Sequence, residues 1–173
     1  MTNSMIKQAK AIHVRGAVFS PCRTWRYQLW RLWGEAGKAS NVCAFVGLNP
    51  STADESLDDP TIRRCIRFAR DWGHDGYVML NAYAYRATKP KDMLTAVDPV
   101  GPDNDQTLRR LRVSDWVTRV VAAWGSHCST YRQRQVLTAI GREVECLGLT
   151  KDGRPKHPLY LPANAQPVTF WIP

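Results

Sequence analysis

Four apolar stretches of this chain each end in polar residues that can form hydrogen bonds with a ligand. The stretches are residues 43–50, 77–83, 117–127 and 146–161. In open α/β sheets, ligands bind just outside the carboxyl ends of the parallel strands. If the stretches are strands of one such sheet, the side chains of Asn49, Asn81, Ser126 and His157 converge on one crevice. We therefore expect the functional site at that edge of the sheet.

The elements that must position these side chains follow from the pattern of apolar residues. The stretches are rich in β-branched and aromatic residues and too short for typical helices, which is typical of strands buried on both faces. Between them, Asp59 and Pro60 predict the cap and first residue of a helix that Gly73 ends. Further helices are predicted over residues 104–112 and 129–142. Alternating strands and helices predict an α/β fold with right-handed crossovers and a parallel sheet.

The N-terminal region has a different pattern. Residues 11–20 and 25–33 alternate partly with period two, which predicts a hairpin or edge strands with one solvated face that carries their arginines and tryptophans. The longest apparent loop spans residues 84–103, and loops of that length are usually functional or mobile. A chain of 173 residues is most simply one domain, with edge strands over residues 1–40 and the core over residues 41–162.

The sequence carries no cofactor or metal signature. Its five cysteines are scattered and form no CxxC pair, so we expect reduced, structural thiols. A glycine-rich dinucleotide motif, a Walker loop and an HExxH motif are all absent. No apolar run approaches membrane-spanning length, and the N-terminus lacks the apolar core of a signal peptide. We expect a cytoplasmic, monomeric protein without cofactors and without a membrane partner.

Charge favours nucleic acid as the partner. Lysine and arginine number 24 against 15 aspartate and glutamate, which gives a formal net charge of +9. Such a balance attracts polyanions, and the faces of the seven tryptophans can stack on unpaired bases. We expect DNA as the partner.

Four short segments carry a family resemblance. They are Gly47-Leu48-Asn49-Pro50-Ser51, Leu80-Asn81-Ala82, Trp124-Gly125-Ser126 and His157-Pro158-Leu159-Tyr160. Their order is similar to that of the signature segments of the uracil-DNA glycosylase superfamily, over residues 42–161. Within that superfamily the full pattern most closely resembles the functionally uncharacterised DUF1643 proteins of bacteria and phages. The resemblance implies a three-layer sandwich of uracil-DNA-glycosylase type with a central, mainly parallel sheet. It also implies a DNA-repair hydrolase that excises a flipped uracil-like, damaged or modified base.

The resemblance implies a role for each matched residue. Asn81 would read the Watson–Crick edge of the flipped base, because an amide offers both a donor and an acceptor. His157 would donate to O2 of the departing base, and Asn49 would orient the attacking water. Tyr160 and Leu161 would wedge into the duplex. The remaining matched residues would contact phosphates or complete the pocket: Ser51 and Ser126 for phosphates, and Gly47, Leu48, Pro50, Trp124, Gly125 and Pro158 for the pocket.

This chain departs from the family pattern at the first motif. Many superfamily members have an aspartate in place of Asn49 and an aromatic residue in place of Ser51, and the last motif lacks a serine after Pro158. Asparagine cannot accept a proton as a base, so weaker catalysis is implied. We expect Asn49→Asp to speed excision by about tenfold, because a carboxylate stabilises a positive sugar.

Each assignment has an alternative. Asn81 could cap a turn, His157 could be exposed and inert, and Trp124 with Gly125 could be core packing before a tight turn. An acidic residue after the first motif could replace the missing carboxylate, although we favour a solvated loop; the candidates are Asp54, Glu55 and Asp58. The protein could also be a noncatalytic nucleic-acid-binding or nucleotide-binding module, or an enzyme that acts on modified phage DNA or free nucleotides.

Overall fold

The elements of the fold alternate between strands and helices after an N-terminal hairpin. A computed structural model describes residue 12 and residues 14–35 and 39–172. The strands of the described residues are β1 (Val14–Phe19), β2 (Arg26–Leu32), β3 (Val42–Gly47), β4 (Gly76–Asn81), β5 (Val117–Ala122), β6 (Val144–Cys146) and β7 (Val168–Phe170). The helices are α1 (Pro60–Asp71), α2 (Pro90–Leu94), α3 (Asn104–Arg109) and α4 (Thr130–Ile140), with short 3-10 turns at Arg110–Val113, Gly125–His127 and Pro158–Tyr160.

The strands form one seven-stranded sheet in the order β1-β2-β4-β3-β5-β6-β7. The four central strands β4, β3, β5 and β6 are parallel, whereas β1, β2 and β7 join antiparallel at the two edges. The prediction of an α/β fold with a parallel centre and an N-terminal hairpin is confirmed at this level. Ala11 and His13, which belonged to the predicted first strand, lie outside the described residues. The C-terminal edge strand β7 was not predicted.

Both faces of the central sheet are buried, as the strand compositions predicted. In β3, Val42, Ala44 and Val46 belong to one apolar cluster, and Cys43 and Phe45 belong to a second cluster on the opposite face. Helix α1 covers the second cluster, while α3 and α4 pack against the first. The sheet therefore lies between two helical layers, with its strand ends open to the solvent.

The helices begin and end at residues that the sequence indicated. Asp59 accepts a hydrogen bond from the backbone N–H of Ile62 at 2.8 Å and caps α1, and Gly73 follows that helix with φ of 83°. Ser129 caps α4, which ends at the left-handed Gly141. The helix predicted over residues 104–112 is shorter, because α3 passes into a 3-10 turn after residue 109.

The 84–103 segment is not a featureless loop, because it contains α2 and is fastened to β2. The backbone N–H of Arg26 donates to the carbonyl of Ala84 at 3.0 Å, and the indole of Trp25 donates to the carbonyl of Asp98 at 2.9 Å. The sequence pattern missed α2 because it is only five residues long. This fastening brings residues 87–90 to the edge of the sheet where the parallel strands end.

The cysteines are free thiols in the structure. Cys43, Cys65, Cys128 and Cys146 are buried, and burial raises the pKa of each thiol, which suits small apolar side chains. Cys22 is exposed, and a hydrogen bond with Ser20 lowers its pKa to about 7. In the described part of the chain, no helix combines the length and the apolar character that crossing a bilayer requires.

Candidate functional site

A cleft of about 720 Å³ lies at the carboxyl ends of β3, β4 and β5. Ten residues of the four motifs line it: Gly47, Leu48, Asn49, Ser51, Asn81, Trp124, Gly125, Ser126, His157 and Tyr160. The polar ends of the four apolar stretches therefore lie around one cavity. The edge of the sheet gathers them because three parallel strands end side by side.

Three of the predicted site residues lie outside the cleft. Pro50 and Pro158 are buried behind it. Leu161 packs against the apolar cluster under α1, and its carbonyl accepts a hydrogen bond from Arg64. The exposed apolar pair at the rim is instead Leu159, 40% exposed, and Tyr160, 85% exposed.

Asn81 has a buried amide that is ready for a ligand. Asn81 is 1% exposed, and its Nδ2 atom has no hydrogen-bond partner among the described residues. A Cβ atom at position 47 would lie 3.1 Å from its Oδ1 atom, so Gly47 leaves room for the amide. Asn104 donates to the backbone carbonyl of Asn81 at 3.0 Å and fixes the end of β4. An unpartnered buried donor is costly, and a ligand acceptor would remove that cost.

Asn49 has the opposite arrangement. Its Nδ2 donates to the carbonyls of Pro50 at 2.9 Å, Ala87 at 2.8 Å and Tyr85 at 3.3 Å. These contacts join the first motif to the 84–103 segment. An aspartate here would place an oxygen against these carbonyl oxygens. This contact argues against the prediction that Asn49→Asp speeds excision.

His157 presents a neutral imidazole to the cleft. Its Nδ1 accepts a hydrogen bond from the backbone N–H of Leu159 at 3.4 Å, which leaves Nε2 as the protonated nitrogen. Burial lowers the pKa of His157, while the charge of Asp59 acts in the opposite direction. Gly125 lies next to His157, and its φ of 70° is a backbone conformation that favours glycine. The imidazole is therefore a neutral donor near neutral pH.

The third motif is partly core. Trp124 is 1% exposed, donates from its indole to Gln133 at 3.1 Å, and packs edge-on against Phe170. Its ring is therefore engaged in the core rather than free to stack on a base. Ser126 is exposed at the rim, and Ser51 is half-buried.

The acidic residues after the first motif are engaged in the loop. Asp54 accepts hydrogen bonds from the backbone N–H groups of Ser56 and Leu57, both at 2.8 Å. Glu55 pairs with Arg23 at 2.8 Å, and Asp58 accepts from Arg31 Nε at 2.9 Å. None of these three lines the cleft.

The carboxylate that lines the cleft is Asp59, the only one among the described lining residues. Its Oδ1 atom caps α1, so the group is held in a fixed place. The sequence identified Asp59 only as a helix cap. Its position directly after the loop of the first motif was the available signal for a role in the site.

Sequence reasoning also missed Arg26 and Lys156, which line the cleft. Lys156 precedes His157 and was identifiable by that adjacency. Arg26 had no such signal, and the interpretation of the N-terminal arginines as a solvated edge is wrong for Arg26 and Arg31, which are 2% and 0% exposed. Within the described ranges, no group of three or more histidine, cysteine or acidic residues is placed to hold a metal ion.

Comparisons with known proteins identify a family. A family model described as "Protein of unknown function (DUF1643)" matches residues 26–159. No curated protein and no solved structure gives a significant match. The matched region begins at Arg26 and contains every cleft residue named above except Tyr160. Because the match covers most of the sequence, the chain belongs to the DUF1643 family.

Proposed function

We propose that this protein binds DNA and excises a flipped uracil-like, damaged or modified base, as a monofunctional N-glycosylase with a fold of uracil-DNA-glycosylase type. The observation that carries the proposal is the unpartnered, buried amide of Asn81 in the same cleft as the neutral imidazole of His157. One group can read a base edge, and the other can donate to the base as it leaves.

The amide of Asn81 fits the edge of a uracil-like base. Its free Nδ2 donates to the O4 carbonyl, and its Oδ1 accepts from N3–H. Cytosine would place an amino group against Nδ2 and leave both donors unpaired. Leaving a buried donor unpaired costs about 1–3 kcal/mol, which is the basis of the discrimination.

His157 supplies the group that stabilises the leaving base. Cleavage of an N-glycosidic bond leaves negative charge on the base and an oxocarbenium-like sugar. The Nε2–H of His157 donates to O2 as that charge develops, without transferring its proton. A neutral imidazole suits this role, because its pKa is lowered by burial and it therefore carries no proton on Nδ1 near neutral pH.

Asp59 takes the role of the carboxylate that the first motif lacks. Its negative charge lies in the cleft with His157 and favours a positive sugar over a neutral one. Asn49 is unsuited to this role because its amide is bound to loop carbonyls. The carboxylate of Asp59 would also orient the water that attacks the sugar.

DNA would reach the cleft along its rim. Lys156 and Ser126 are exposed there, and Tyr160 projects beside them. The cation and the hydroxyl suit phosphate contacts, while the phenol ring suits the gap left by a flipped base. The net charge of +9 adds general attraction to the backbone.

A panel of oligonucleotides tests the proposal. Pure protein is incubated with DNA that contains uracil, mismatched, deaminated or modified bases, and alkali-labile abasic sites are counted. We expect excision of at least one base, and Asn81→Asp should shift the preference toward cytosine by about 1–3 kcal/mol. Asn164→Asp is the matched control, because Asn164 is exposed and outside the cleft. Absence of abasic sites on every base would contradict the catalytic part of the proposal.

Asp59→Asn separates catalysis from folding. Asparagine caps a helix about as well as aspartate, so α1 should persist. We expect excision to slow by about a hundredfold while DNA binding stays within about twofold, because only the charge toward the sugar is lost. An unchanged single-turnover rate would remove Asp59 from the mechanism.

A noncatalytic base-binding module is the second candidate. The observation that favours it is the engagement of Asn49, which leaves the first motif without an acid or base. This candidate would be supported if an oligonucleotide of the panel binds tightly, if that binding depends on Asn81, and if no abasic sites form.

A further inference from the structure

Three arginines are buried in the described part of the chain, and they differ in their partners. Arg31 lies 2.8 Å from a carboxylate oxygen of Asp58, and Arg132 pairs with Asp105. Arg26, which is 2% exposed, has no carboxylate within ion-pairing distance among the described residues. It is also the one of the three that lines the cleft.

The guanidinium of Arg26 is only partly bonded. Its Nη1 atom donates to the carbonyl of Ala53 at 2.7 Å, and its buried Nε atom has no partner. Burial lowers its pKa to about 10, which still leaves it charged at neutral pH. Tyr77 and Asp59 influence its charge only from beyond ion-pair distance. A buried cation in this state lacks a counter-ion, and buried charges in proteins are normally paired.

The position of Arg26 restricts what the counter-ion can be. Ile62 and Met79, both buried, line the cleft with it, whereas Lys156 and Ser126 are exposed at the rim. A phosphodiester chain must enter and leave a site, so it fits the rim. Only a terminal group can reach a guanidinium that is 2% exposed.

We infer that the cleft accepts a nucleotide ligand that ends in an oxyanion, a carboxylate or a terminal phosphate, and that Arg26 binds this group. The inference rests on the proposed function for the nucleobase part of the ligand, which Asn81 reads. A guanidinium suits an oxyanion because its N–H groups form a planar fork. A carboxylate would be a substituent of the base in DNA, whereas a terminal phosphate would belong to a free mononucleotide.

Two matched pairs of probes distinguish these sources. One pair is an oligonucleotide with 5-carboxyuracil and the same oligonucleotide with uracil, and the other is uridine monophosphate and uridine. We expect wild-type protein to bind the anionic member of one pair about tenfold to a hundredfold more tightly in calorimetric titration. Arg26→Met keeps an unbranched side chain but removes the guanidinium, and it should abolish that preference while it retains affinity for the neutral member.

Arg67→Gln is the control for the general loss of one positive charge, since Arg67 is an exposed residue of α1 outside the cleft. It should retain the preference. Equal affinity of the wild type for both members of each pair would overturn the inference, and so would a preference that survives Arg26→Met. If Arg26→Met does not fold, Arg26→Gln takes its place: loss of the wild-type anion preference in Arg26→Gln supports the inference, and its survival overturns it.

The results also separate this inference from the proposed function. Binding of the neutral probes that depends on Asn81, without an anion preference, overturns the inference and leaves the proposed function standing. If uridine monophosphate binds through Arg26, while Asn81→Asp leaves its affinity unchanged and no oligonucleotide binds, the anion site is supported and the proposed function fails.

Discussion

Asn49 and Asn81 follow neighbouring parallel strands and line the same cleft, yet their amides are in opposite states. Asn49 donates to backbone carbonyls and holds the 84–103 segment in place, whereas the Nδ2 of Asn81 is buried without a partner. The first arrangement stabilises the fold, and the second costs stability. A buried polar group that lacks a partner in a cleft is available for a ligand, so the difference is consistent with a structural role for Asn49 and with the recognition role that we propose for Asn81.

The same contrast occurs between Arg31 and Arg26 on β2. Arg31 bonds Asp58 and the carbonyls of Trp30 and Asp54, while Arg26 has one backbone acceptor. Each pair therefore consists of one well-bonded residue and one residue of the same type that has a polar atom without a partner. The following predictions test whether the hydrogen-bond partners of a residue, rather than its type, decide whether it contributes to stability or to ligand binding.

The largest effect is expected for Arg31→Met. It removes a fully buried cation from Asp58 and from the carbonyls of Trp30 and Asp54, so the free energy of unfolding should fall by about 3 kcal/mol or more. Arg26→Met should be neutral or stabilising, because it removes a buried charge that has no carboxylate partner. Urea unfolding of both variants measures the difference. Equal destabilisation would show that Arg26 is as well compensated as Arg31.

A smaller effect is expected for the two asparagines. Asn49→Ala leaves the carbonyls of Pro50 and Ala87 without their donor and should lower the unfolding free energy by about 2 kcal/mol. Asn81→Ala should change it by less than about 1 kcal/mol, since Nδ2 has no bond to lose. Base discrimination should instead be reduced more by Asn81→Ala than by Asn49→Ala. The contrast breaks down if Asn81→Ala is the more destabilising substitution.

The buried histidines should make stability depend on pH. Burial lowers the pKa of His157 and of His74, so the unfolded chain binds protons that the folded chain does not. The free energy of unfolding should therefore rise with pH between the lowered pKa values and the ordinary histidine pKa of about 6.5. Above that pH, the two histidines should add no further pH dependence. Urea unfolding across that window should show a shallower slope in His157→Gln. His74→Gln, just before β4 and therefore at the opposite end of the strands from the cleft, should also lose slope without any change in ligand binding.

The smallest effect is expected for Glu55→Gln. The ion pair of Glu55 with Arg23 joins two half-exposed side chains, and such pairs contribute little. Stability and excision should both stay within experimental error. A slower reaction in this variant would restore the hypothesis that the loop after the first motif supplies the catalytic carboxylate.

Much of the fold was predictable because local signals agree with the tertiary structure. The ends of α1 follow from capping and backbone conformation alone, at Asp59, Pro60 and Gly73. The apolar run of β3 indicates burial on two faces. The edge strand β7 and helix α2 are too short for a periodic pattern. Strand β7 forms by pairing with β6, and a local pattern does not contain such long-range pairing.

The site was predictable in its motifs but not in the state of its side chains. Asn81 and His157 meet in one cleft at the edge where the parallel strands end, and alternation of strands and helices predicts such a parallel sheet. Whether an amide or a guanidinium has a partner depends on segments distant in sequence, such as Ala87 for Asn49 and Ala53 for Arg26. Arg26 could not be assigned to the cleft without those distances.

The fastening of the 84–103 segment at both ends has a consequence for chain continuity. Asn49 holds Ala87 on one side, and Trp25 holds Asp98 on the other, while Val97 between them is fully exposed. A cut or an insertion at Val97 would leave both attachments in place, since exposed loop tips are where chains tolerate such changes. The wall of the cleft would keep its shape, and the tip is therefore a suitable place for a protease site or a fluorescent tag that reports on the intact protein.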